Sequence, residues 1–221
     1  MVKRQASGGG CGLRDTGRVP TAKFHPDLRQ AARLIPRQAF NPVTLPMVRM
    51  ATRLMWRRVP AGVDALTLAS GAKVWVYRPT GRSGSGSALL WIHGGGYLIG
   101  HPGQDDVLCR RFAHELGAMV VSVDYRLAPE HPYPAPLEDC YAALTWLAGL
   151  PSVDPSRVAI GGASAGGGLA AALALEARDR GEVPLAAQLL VYPMLDDRAD
   201  SASCREVDDI GVFDGWASAE G

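Results

Sequence analysis

Gly162-Ala163-Ser164-Ala165-Gly166 sets a serine between two glycines at the spacing Gly-x-Ser-x-Gly. That spacing suits attack by a hydroxyl on an acyl carbon. It is the pattern of a tight strand-to-helix turn that holds a serine in a strained conformation and projects its hydroxyl beyond the end of a sheet. In such a turn strand and helix nearly touch, so Cβ atoms beside the serine are obstructed, which accounts for Gly162 and Gly166. Ser164 is the candidate catalytic nucleophile. A serine among glycines and alanines also occurs in flexible loops and small-residue helix starts. The flanks argue against that here, because Val158-Ala159-Ile160 reads as a buried strand and Leu169–Glu176 is a strong Ala/Leu helix former.

Acyl transfer through serine further needs a base for its proton and donors for the oxygen that becomes negative. The donors can come from His93-Gly94-Gly95-Gly96-Tyr97, where side-chain-free amides follow a strand end, together with the amide after the serine. Gly94, Gly95 and Ala165 are the candidate oxyanion hole, with His93, Gly96, Gly162 and Gly166 as supporting positions. A phosphate-cradling loop is the weaker reading, since no Lys or Ser/Thr stands at P-loop spacing and no G-x-G-x-x-G opens a helix. The base is harder to find. All five histidines, His25, His93, His101, His114 and His131, precede Ser164. His93 reads as a prop for the glycine loop, His101 and His131 as loop residues, and His25 and His114 as surface or helix-end residues. Asp196 and Asp197 sit at the end of the last strand.

The elements that must position these residues alternate along the chain. Val63–Leu68 and Lys73–Arg78 alternate apolar and polar residues around Ser70-Gly71, which predicts an antiparallel hairpin. Ala88–Ile92 and Met119–Val123 are continuous apolar runs, as in strands covered on both faces. Helices are expected over 105–117, 136–150 and 165–180, and a last strand over 183–192. Strands alternating with helices at this spacing predict an α/β fold with a mostly parallel sheet. Upstream, 26–39 and 45–57 have apolar residues at helical spacing, broken near Pro42 and Pro46. The second, with Arg49, Arg53, Arg57 and Arg58 beside Met and Trp, reads as a helix packed on a neighbouring surface, a basic membrane-touching helix being the alternative.

Composition narrows the function classes. With 221 residues, 47% hydrophobic, 20% charged and net charge +1, the chain can bury one sizeable core and gives no reason to expect nucleic acid as partner. Cys11, Cys109, Cys140 and Cys204 show no metal-ligand spacing and read as reduced thiols. Residues 1–12 lack the apolar core of a secretory signal, and no run of about 18 apolar residues predicts a transmembrane segment. The expectation is a cytoplasmic protein without a metal site.

His93–Tyr97, Asp124-Tyr125-Arg126-Leu127-Ala128-Pro129-Glu130-His131 and Gly162–Gly167, in this order, resemble the hormone-sensitive-lipase-like branch of the α/β-hydrolases. The resemblance covers roughly residues 25–197. It implies an α/β-hydrolase fold and a cofactor-free carboxylesterase acting on short acyl esters, a small-molecule substrate, with N-terminal helices forming part of a cap. Ala163 departs from the Asp that many members carry before the serine. The larger departure is that the family's catalytic Asp and His come after the serine, and the expected explanation is a chain that stops before the final strands. The expected division is a disordered tail over 1–20, cap helices over 21–60 and an incomplete hydrolase core over 61–221. A non-catalytic small-molecule binder on the same scaffold, and an amidase or acyltransferase with the same nucleophile, remain open. Sequence leaves oligomeric state and the natural ester unknown.

Overall fold

The computed structural model describes residues 25–32, 42–81, 84–196, 198 and 202. Its centre is a six-stranded sheet. The strands are β1 (Val63–Thr67), β2 (Lys73–Tyr77), β3 (Gly86–Ile92), β4 (Met119–Asp124), β5 (Val153–Ala163) and β6 (Ala187–Val191), in the spatial order β1-β2-β4-β3-β5-β6. The β1–β2 and β2–β4 pairs are antiparallel, while β4, β3, β5 and β6 run parallel. The predicted hairpin and mostly parallel sheet are both present.

The strand that leads into the glycine loop, β3, is buried along almost its whole length, for the reason its composition gives. Alternate residues of β3 face opposite layers. Leu90 and Ile92 pack with Val121, Val123, Leu144, Leu147 and Leu173, whereas Leu89 and Trp91 pack with Trp75, Val120, Cys109 and Ala113. One layer is α4 (Ala135–Ala148) with α5 (Ala165–Arg180), and the other is α3 (Asp106–Leu116). A strand sandwiched between two helical layers has no polar face, so it appears as an unbroken apolar run. Cys109 and Cys140 are free and buried, and burial pushes both thiols upward in pKa. Cys11 and Cys204 lie outside the described residues, as do the expected tail over 1–20 and Asp197.

Element boundaries differ from the sequence reading where prolines and long-range contacts intervene. In the N-terminal region there are a 3-10 turn at Pro26–Leu28, a short α1 (Arg29–Ala32) and α2 (Leu45–Met55); residues 33–39 of the expected first helix lie outside the described residues. The last strand begins at Ala187 instead of 183, because Pro184 has no N–H to donate and the ladder restarts only after it. Among the described residues β6 is an edge strand, with Leu189 exposed. Leu45, the buried residue of α2, packs with Leu98 and Ala128, as expected for a helix seated on a neighbouring surface. No helix among the described residues is long and apolar enough to cross a membrane.

Candidate active site

Parallel strands deliver their C-terminal ends to one edge of the sheet, and there β3 and β5 bring the two glycine motifs together. β5 pairs with β3 up to Gly162 opposite Ile92. One residue past the end of β5, Ser164 stands at φ 56, ψ −118, a region that non-glycine residues avoid, and it opens α5 without capping it. The turn is fixed on every side: the Ser164 N–H donates to Val191 O (2.9 Å), and its carbonyl accepts from Gly168 N (3.0 Å) and Met194 N (3.1 Å). The surrounding glycines are required by contact. A Cβ on Gly162 would meet Ile92 O at 2.7 Å, and one on Gly94 would meet Ala163 O at 2.8 Å and the Ser164 Cβ at 3.4 Å. Among the described residues the Ser164 hydroxyl makes no hydrogen bond.

The last of these distances puts the glycine loop beside the serine. The loop is propped from below by His93, which is wholly buried. Its Nδ1 lies 2.9 Å from Gly94 O, and its ring stacks on Tyr125 at 4.3 Å, while the Tyr125 hydroxyl donates to His93 O at 2.9 Å. Because a carbonyl can only accept, Nδ1 carries the hydrogen, and Nε2 is left without a partner. Gln104 Nε2 donates to the same Gly94 carbonyl at 3.2 Å. Two donors on one oxygen fix the Gly94–Gly95 peptide plane, and with it the direction of the Gly95 N–H, which points the opposite way. Among the described residues no acceptor takes the N–H of Gly94 or Gly95, and Ala165 opens a helix whose first amides have no partner within it. Gly96 continues the loop with φ 60.

Burial lowers the His93 pKa from 6.5 to about 4, against the opposing effect of its bond to Gly94. Between these values the unfolded chain takes up a proton that the folded chain refuses, so this contribution to stability is fully present above pH 6.5 and is lost as pH falls towards 4. The loss is expected to be about 2–3 kcal/mol. Urea midpoints followed from pH 7 to 4.5 should fall more steeply for the wild type than for His93→Gln. Equal slopes would show that the ring is protonated at its ordinary pKa.

The other histidines are engaged elsewhere. His101 stacks on Trp56 (6.0 Å), meets Trp75 edge-on (5.1 Å) and accepts from Gly103 N at 3.0 Å. His25 lies beside Asp27, His131 lies in the turn where its backbone N–H donates to Leu127 O, and His114 sits in the last turn of α3. Asp196 is tied to Arg198 through Nε at 2.8 Å, and this bond holds its carboxyl below its ordinary pKa. The structure therefore assembles Ser164, Gly94, Gly95 and Ala165, and brings no base to the serine among the described residues. A cleft of about 200 Å³ lined by Tyr77, Arg78, Arg110 and His114 lies by the other end of the sheet, since Tyr77 pairs with Val120 near the start of β4. Tyr125 and Gln104 are supports that sequence reasoning missed. Tyr125 lay inside a quoted motif but carried no sign of its reach, and Gln104 carried no signal.

Comparison with known proteins agrees with this geometry. A family model described as alpha/beta hydrolase fold matches residues 89–216. Esterase LipI of Mycobacterium tuberculosis is 36% identical over 205 residues, 87% of this chain and 60% of that protein. Carboxylesterase NlhH of the same species is 43% identical over 155 residues, 69% of this chain and 46% of that protein. Among solved structures, esterase LipW from Mycobacterium marinum matches with TM-score 0.77 at 35% identity, covering 92% of this chain and 68% of that one. A bacterial heroin esterase matches with TM-score 0.75 at 37% identity, covering 88% and 66%. The chain thus spans about half to two thirds of the length of these relatives.

Proposed function

The chain belongs to the α/β-hydrolase family, in its hormone-sensitive-lipase-like branch, and from that premise we propose that it carries the nucleophile and oxyanion hole of a serine carboxylic-ester hydrolase. The observation that carries this reading is the strained Ser164 turn lying against Gly94, where a Cβ would come 3.4 Å from that of the serine. In the proposed reaction Ser164 Oγ bonds to the acyl carbon of a small ester and gives its proton to a base. The carbonyl oxygen, now negative, is held by the N–H groups of Gly94, Gly95 and Ala165. Collapse breaks the bond to the alcohol, which leaves with a proton, and water then releases the acid from Ser164. The base and its orienting acid are assigned to chain outside the described residues, consistent with relatives longer than these 221 residues.

The substrate class rests on the family and on relatives named as esterases and carboxylesterases. Residues 21–60 are read as part of a cap over the acyl pocket, and the cytoplasm as the place of action. A form of the chain that turns esters over is expected to prefer p-nitrophenyl acetate and butyrate to palmitate. Its turnover should be abolished by Ser164→Ala, and water should outcompete added alcohols or amines as acyl acceptor. A preference for long acyl chains would overturn the substrate class. Efficient transfer to an amine or alcohol would instead make the protein an acyltransferase.

A further inference from the structure

The oxyanion loop is held from below by His93, and from above by a residue of the N-terminal helix. Between 94 and 100 the backbone enters the positive-φ region at Gly95 (135), Gly96 (60), Tyr97 (62) and Gly100 (127). A run of this kind, with a tyrosine in it, is strained and persists only where its surroundings over-determine it. Inside the loop the amides of Leu98 and Ile99 both donate to Gly95 O, at 3.1 and 3.0 Å. On its outer side stands Arg49 of α2. Its side chain is 11% exposed. Arg49 Nε donates to Leu98 O at 2.7 Å, one terminal nitrogen donates to Ala128 O, and the other lies 2.5 Å from a carboxylate oxygen of Glu130. Ala128 N in turn donates to Tyr97 O at 3.1 Å. The guanidinium and the Ala128 peptide therefore close a ring of hydrogen bonds across residues 97–98 and 128.

We propose that Arg49 is a positioning residue for the proposed ester hydrolysis, clamping the outer shoulder of the 94–100 loop so that the Gly94 and Gly95 amides stay aimed at the oxygen on the acyl carbon. A planar fork holds two carbonyls and a carboxylate from three separate nitrogens, whereas the donors of a lysine all sit on one atom. Leu45, one turn earlier on α2, packs against Leu98 and Ala128, the residues Arg49 bridges. The helix thus meets the body of the protein at the two segments whose spacing sets the loop. A displacement near 1 Å at the donors is enough to cost on the order of 100-fold in rate, so a clamp on the shoulder acts directly on catalysis. This inference rests on the reading of Ser164 as nucleophile, but its test does not.

Amide hydrogen exchange on the 221-residue chain reads the clamp without turnover. In Arg49→Ala the Leu98 and Ile99 amides are expected to exchange roughly tenfold faster or more, with the β3 amides Leu90–Ile92 unchanged. Glu130→Gln removes the ion pair and leaves both carbonyl bonds, so loop exchange should stay within about twofold of wild type. Arg49→Lys should lie between wild type and Arg49→Ala. If Arg49→Ala fails to fold, the order Arg49→Lys faster than Glu130→Gln carries the test. A role limited to anchoring α2 would speed exchange in α2 alone, and unchanged Leu98 and Ile99 amides would overturn the proposal. In any form with Ser164-dependent turnover, Arg49→Ala should lower kcat with KM held within a factor of about three. If such turnover is absent altogether, the reading of Ser164 fails while the exchange result stands.

Discussion

A fluorophosphonate probe is expected to leave the 221-residue chain unlabelled at Ser164, and p-nitrophenyl acetate turnover by it should not exceed the residual acceleration that oxyanion donors give without a base. The hydroxyl of a serine is a weak nucleophile until a neighbouring base takes its proton, and among the described residues no such bond exists. His101 is held between Trp56 and Trp75, His93 is spent on Gly94, and Asp196 is tied to Arg198. What remains is the proposed oxyanion hole, and in serine proteases stripped of their triad that remainder is worth on the order of 10³–10⁴ over water. A longer form that brings an acid and a histidine to Ser164 should gain on the order of 10⁴-fold or more, since nucleophile and base act as a unit and their effects do not add. It should label at Ser164, and Ser164→Ala should abolish the labelling. Rapid stoichiometric labelling of the 221-residue chain would mean that a residue within it serves as base. Loss of that labelling in His101→Ala would then identify the histidine.

What could be read from sequence divides by how local its cause is. The elbow was legible because the turn itself dictates its glycines: Gly162 and Gly166 are required by atoms four residues apart and by the adjoining strand. The runs that became β3 and β4 were legible because burial on two faces leaves no polar position. The hairpin was legible from two short runs flanking the Ser70-Gly71 turn, although β2 is buried over four successive residues and does not alternate in the fold. The contacts that hold the 94–100 loop were hidden because they join residues far apart in sequence: Tyr125 reaches His93 across 32 positions and Arg49 reaches Leu98 across 49. No spacing rule connects such pairs. Arg49 looked like one of several arginines on an amphipathic helix, and only the folded loop distinguishes it from Arg53 or Arg57. The end of α2 and the start of β6 were misplaced by a few residues, as happens where a helix frays or a proline delays a ladder.

Gly166→Ala is expected to destabilise the chain by on the order of 3–5 kcal/mol, a large share of the roughly 5–15 kcal/mol that stabilises an ordinary domain. Gly166 is the second residue of α5, where alanine would normally be the better helix former by about 1 kcal/mol. Tertiary contact reverses that preference. A Cβ at Gly166 would lie 2.6 Å from the carbonyl carbon of Ile92, with the oxygens of Ile92 and His93 closer still. These atoms belong to the end of β3, which is paired on both sides and buried, so they cannot swing away as a flexible side chain would. To admit one methyl, the start of α5 must lift off the sheet, which pulls Ser164 away from Gly94 and opens the layer that holds Leu169, Ala170 and Leu173. Gly149→Ala is the control: that glycine has helical φ and ψ at the end of α4, and its added Cβ would meet nothing nearer than Thr145 O at 3.4 Å. Its effect should stay within about 0.5 kcal/mol. Urea unfolding followed by tryptophan fluorescence measures both. A Gly166→Ala midpoint indistinguishable from that of Gly149→Ala would mean that helix and strand stand further apart than in this structure, and that the serine is not held on a turn where only glycine fits.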